Sequence, residues 1–113
     1  MPIRIQRKRV KGWKMPLNSV YVGRPTLYGN PFRVGVYSVS AKECADTFEW
    51  CVNEFPVPQN KREVWRQFGG DPAMLIGIAG GSFNTFLRGK DLVCWCNEKS
   101  SCHADTLLRM ANK

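Results

Sequence analysis

Six residues set the terms for this fold: Asp91-Leu-Val-Cys-Trp-Cys96. They read as the clearest strand in the chain, closed off by Gly89 before them and a polar loop at 97–101 after them. Beyond that loop the pattern turns helical from Cys102 to Asn112, with Leu107, Leu108 and Ala111 on one side. A strand feeding a helix through a short polar loop is half of an α/β unit. In open α/β sheets the loop at the carboxyl end of a central strand is where ligands bind.

Upstream signals extend the pattern. Residues 3–14 read as a basic strand or arm, and Ser19–Val22 as a short strand. Gly23 to Phe32 is a turn-rich loop punctuated by Gly and Pro, in which Asn30 before Pro31 is biased toward extended or turn geometry. Ser40 with Glu43 forms a capping-box signature for a helix Ala41–Phe55, ended by Pro56 and Pro58. Cys44, Phe48, Cys51 and Val52 share one face of it, so Cys44 and Cys51 read as core residues. Asn60 is read as the cap of a helix Lys61–Phe68, followed by Gly69-Gly70. Met74–Ile78 is apolar but of undecided type, and Ser82 is read as capping a short helix through Leu87. The predicted fold is one α/β domain over residues 1–113, a short sheet flanked by helices in a Rossmann-like three-layer arrangement. A two-layer α+β sandwich is the alternative.

Charge is uneven along the chain. Of 17 Lys and Arg, nine fall within residues 1–42, which hold no Asp or Glu; the remainder is close to neutral. This asymmetry predicts an anionic partner for the first third of the chain. No apolar run is long enough to span a membrane, and the start lacks the apolar stretch of a secretory signal. Five cysteines, an odd number, fit reduced thiols and a cytoplasmic setting.

Chemistry concentrates near the C-terminus. Cys94, Cys96, Cys102 and His103, the sole histidine, lie within ten residues. Three readings stand side by side. Cys102 at a helix start has its thiol acidified by the helix dipole, with His103 as acid or base and Asp105 as an orienting group. The same helix end suits an anion. Alternatively, Cys94, Cys96, Cys102 and His103 form a permissible tetrahedral zinc set, at spacings unlike the usual knuckle. In the third reading the thiols only pack the interior.

Two separated segments, Val22-Gly-Arg-Pro-Thr-Leu-Tyr-Gly-Asn-Pro-Phe32 and Leu87-Arg-Gly-Lys-Asp-Leu-Val-Cys-Trp-Cys96 with Cys102-His-Ala-Asp105, resemble the domain of unknown function 4326 family. The opening Arg7–Pro16 is also similar to that family's start. The resemblance implies a bacterial or phage setting and no assigned activity. A Cys-His-Arg helix opening in the domain of unknown function 488 family is a weaker likeness, because position 104 here is Ala.

The leading expectation is a pocket for a nucleotide or nucleotide-like anion, binding it with or without processing. Arg24, Asn30 and Cys96 would contact the ligand, and Cys102, His103 and Asp105 would supply any catalysis. The rival is a DNA- or RNA-binding module in which Arg4, Arg7, Lys8, Arg9, Lys11 and Lys14 meet phosphates while Trp13 and Tyr21 stack. A zinc-stabilised domain engaging a host protein is the third class. The pocket expectation requires the loop around Asn30 to fold beside the end of the last strand.

Overall fold

The computed structural model describes every residue except Met1, Pro25, Leu27, Glu98 and Lys113. The parts of the predicted loops that fall on Pro25, Leu27 and Glu98 lie outside the described residues. In chain order the elements are β1 (Arg4–Gln6), β2 (Ser19–Tyr21), α1 (Ala41–Val52), α2 (Gln59–Gln67), α3 (Pro72–Ala79), a 3-10 turn (Asn84–Phe86), β3 (Asp91–Cys94) and α4 (His103–Ala111). The three strands form a parallel sheet in the order β1-β3-β2, with the helices packed around it, as expected of the α/β class. Among the described residues, no helix is long and apolar enough to cross a membrane.

The strand read from the sequence as central is central. Leu92, Val93 and Cys94 of β3 are all buried, as a strand covered on both faces requires. Register sets Arg4 and Val20 beside Leu92, and Ile5 and Tyr21 beside Val93. Register partners share a face, and side chains alternate along a strand. Arg4, Gln6, Leu92, Cys94 and Val20 therefore face one way. Leu92 and Cys94 pack there with Leu107, Ala104 and Ala111 of α4. α4 lies on β3 and β1, and α1 packs on α4 and α3. Phe32, Phe48 and Trp65 fill the middle, each at most 1% exposed, with ring centroids 5.4–6.0 Å apart along Phe48–Trp65–Phe32. Burying side chains of this size contributes about 1.5–3 kcal/mol each.

Several boundaries differ from the sequence reading. α1 stops at Val52 rather than Phe55, since a residue preceding proline is disfavoured in helical geometry. α2 begins two residues earlier than Asn60 implied, with Pro58 as its N-cap. Met74–Ile78 lies inside α3, which opens with Asp71 accepting from the Ala73 N–H at 2.9 Å and with Pro72 in the first turn. Ser82 caps nothing, because Phe83 is the residue that precedes the 3-10 turn. β1 keeps three residues of the long basic segment, and β3 ends at Cys94, two residues short of Cys96. Gly69 ends α2 at φ +93°, with its N–H bonded to the Arg66 carbonyl and the Gly70 N–H to that of Trp65. This is the Schellman arrangement, which needs a residue tolerant of left-handed backbone.

Candidate functional site: a thiol-lined cleft at the carboxyl edge of the sheet

All three strands run the same way, so their carboxyl ends gather at one edge. There β2 runs on into Val22, Gly23 and Arg24, and β3 into Trp95 and Cys96. The start of α4 returns to the same edge with Cys102 and His103. Between them lies a cleft of about 270 Å³, whose walls include Arg24, Asn30, Phe32, Trp95, Cys96 and His103. The turn-rich loop thus folds beside the end of the last strand. Five of the six pocket residues expected from sequence (Arg24, Asn30, Cys96, Cys102 and His103) line this one cavity.

The sulfur atoms of Cys94, Cys96 and Cys102 all lie within 4.8 Å of one another. Cys94 and Cys96 project from the same side of the strand and its continuation, and Cys102 approaches from the helix, its Sγ 3.5 Å from that of Cys94. This triad, with Cys94 and Cys102 buried and Cys96 half-buried, is a set of donors able to hold a metal ion. Two hydrogen bonds converge on Cys102, first from Cys94 and then from Cys96, and they pull its thiol well below the ordinary range. The cost falls on the donors. Their bonds to Cys102 push the Cys94 and Cys96 thiols upward, and burial adds to the rise.

His103 is buried, and its Nε2 lies 2.9 Å from the Val22 carbonyl oxygen. A carbonyl only accepts, so Nε2 carries a proton, and Nδ1 lies 3.6 Å from Cys102 Sγ. The ring rests edge-on against Phe48, centroids 5.2 Å apart. The β2 end, not a carboxylate, therefore orients the imidazole. Of the four residues of the zinc alternative, the three cysteines converge and His103 is not in their group.

Asp105 lies elsewhere. It is exposed in the first turn of α4 and faces a shallow hollow with Arg4, Lys99 and Ser101, where its carboxylate is 3.4 Å from the Arg4 guanidinium. Asn30 is buried with both ends of its amide engaged: Nδ2 donates to the Cys44 carbonyl at 3.1 Å, and Oδ1 accepts from the Phe32 N–H at 2.9 Å. Arg24 is exposed and anchored through the backbone of the same loop, its guanidinium donating to the Asn30 carbonyl at 2.8 Å. The basic arm leaves the same edge. The Arg7 N–H bonds to the Cys94 carbonyl, while Lys8, Arg9, Lys11 and Lys14 are exposed.

Two residues take on roles that sequence reasoning did not assign. Arg4, with a side chain 10% exposed, comes onto the core face next to the thiols. Burial lowers its pKa, but Asp105 and then Cys102 and Cys94 outweigh that and raise it. Trp95 is both a wall of the cleft and the ring beneath Arg7 and Arg9. The signal for Arg4 was a cation inside a short strand. Only the register with β3, absent from the sequence, says which face it occupies. No match was found among curated proteins or among solved structures. The two segments that carry the resemblance, and the geometry that joins them, lie within a match to the family described as Domain of unknown function (DUF4326), which covers residues 5–113, and the chain belongs to that family.

Proposed function

We propose that the cleft binds a small anionic ligand of the nucleotide type. The observation that carries this reading is the meeting of Arg24, the start of α4 and an aromatic wall at the carboxyl edge of a parallel sheet. Open α/β sheets take their ligands at that edge. A helix start favours negative charge, and a guanidinium anchored to its own loop is already positioned to meet a phosphate. The volume, about 270 Å³, is near the lower end for ligand pockets, about 300 Å³, so one nucleotide-sized group is favoured over a dinucleotide. Any chemistry on the ligand falls to Cys102 as a thiolate nucleophile, with His103 beside it. Calorimetric titration with purine and pyrimidine nucleoside monophosphates tests the reading. Arg24→Ala is expected to weaken binding about tenfold, the value of one charge-assisted hydrogen bond, at unchanged melting temperature. Absence of binding by every monophosphate at millimolar concentration refutes it.

A second reading is favoured by the sulfur triad: Cys94, Cys96 and Cys102 hold a zinc ion. Zn–S bonds of about 2.3 Å in a tetrahedron place sulfurs about 3.8 Å apart, close to the 3.5 Å between Cys94 and Cys102. Three thiolates and a divalent ion carry one net negative charge, and the half-buried Arg4 guanidinium beside them offsets it. Three protein ligands also leave one coordination position for water or a ligand, so the two readings are compatible. Elemental analysis of the purified protein is expected to give about one zinc per chain, falling severalfold in Cys96→Ser. Zinc-free protein from zinc-supplemented growth rules this reading out.

A further inference from the structure

Arg7 and Arg9 both lie over Trp95, their guanidinium carbons 5.0 and 4.8 Å from its centroid, and Arg7 also lies over Tyr21 at 4.9 Å. Each such contact contributes about 0.5–1 kcal/mol at an exposed site, enough to order two long side chains that would otherwise sweep through solvent. The Arg7 N–H is tied to the Cys94 carbonyl, so the base of the arm is fixed to the sheet edge. Trp95 remains 38% exposed and forms part of the cleft wall. Ion pairs among the described residues join Arg4–Asp105, Lys42–Asp46, Lys61–Glu54 and Arg109–Glu49. None of them neutralises Arg7, Lys8, Arg9, Lys11 or Lys14.

We infer that the ligand reaches the cleft as part of a single-stranded nucleic acid, whose backbone is held by the Arg7–Trp95–Arg9 face and the lysines that follow. This rests on the nucleotide reading of the cleft and names its substrate class. Cations interleaved with aromatic rings are the pattern that follows a flexible, unpaired strand. A duplex offers its information in grooves that admit a helix or a ribbon, and residues 7–16 form neither. A membrane surface would select an amphipathic helix, which this arm also lacks. The ordered arginines and the cleft share Trp95, so a strand lying on the face is continuous with a nucleotide entering the cavity.

Fluorescence anisotropy with labelled single strands of about fifteen nucleotides, in DNA and RNA forms, tests this, with a duplex of the same sequence as competitor. Arg7→Gln/Arg9→Gln is expected to weaken strand binding at least about tenfold. It should also flatten the slope of log affinity against log salt by about 1.4, at about 0.7 per lost phosphate contact. Should that variant fold poorly, Lys8→Gln/Lys11→Gln/Lys14→Gln supplies the same comparison from exposed positions, with a slope change of about 2.1. Arg24→Ala is expected to weaken both the single strand and the mononucleotide. Mononucleotide binding without strand binding overturns the inference and leaves the cleft reading standing. Strand binding that depends on the arm but is indifferent to Arg24 overturns the cleft reading and this inference with it. Preference for the duplex, or an unchanged salt slope in both arm variants, overturns the strand interface.

Discussion

Asn30 illustrates how far a single residue can be read from sequence. An asparagine before a proline in a loop near a pocket is equally suited to meeting a base edge or to closing a turn. Its amide is spent on the Cys44 carbonyl and the Phe32 N–H. Asn30→Ala removes both partners from a buried position, at about 1–3 kcal/mol for each group left unsatisfied. A loss of about 2–4 kcal/mol in urea unfolding is expected, well above that of Arg24→Ala; equal, small losses would show that the turn does not depend on this amide. The composition of the Cys/His cluster was plain in the sequence, and so was its position at a strand end and a helix start. What was not plain was the division of labour. The Val22 carbonyl comes from 81 residues upstream, so no local pattern reveals that it, rather than Asp105, orients His103.

Helix signals were largely legible, and sheet register was not. Ser40 caps α1 as expected, accepting from the Glu43 N–H at 3.2 Å. The capping box is only half built, however, because the Ser40 N–H donates to Ser38 Oγ, not to Glu43. Ser40→Ala is expected to cost about 1 kcal/mol in equilibrium unfolding, with no effect on ligand affinity at the cleft. α3 escaped assignment because it is apolar nearly all round, leaving no stripe for periodicity to detect. The Asp71-Pro72 cap signal stood just before it. Inside that helix, a Cβ added at Gly77 would run into the ring of Phe83. Gly77→Ala gains about 1 kcal/mol of helix propensity and incurs about 1–3 kcal/mol of overpacking. Net destabilisation by thermal melt is expected, where an exposed helical glycine would give the opposite sign.

At the scale of the whole molecule, buried thiols set an alkaline limit. Burial pushes the Cys51 thiol up to about 11 from an ordinary 9.0, and burial raises Cys44 as well. A thiol whose pKa is raised by folding stabilises the fold fully below its unfolded value, and that contribution drains away as pH climbs through the folded value. Stability should fall by roughly 2–3 kcal/mol between about pH 9 and 11 on account of Cys51. Urea titrations of the native chain and Cys51→Ala across that range check this, since the variant should lose less; parallel declines would assign the alkaline sensitivity to other groups. The order β1-β3-β2 has a consequence during synthesis. Each of the first two strands is hydrogen-bonded only to the third, which leaves the ribosome after four-fifths of the chain has been made. Until then both must wait without a partner while the three helices that separate β2 from β3 are made. A nascent chain released ahead of residue 91 has strand sequences but no sheet, no edge for the arm to grip and nothing for the late cysteines to close.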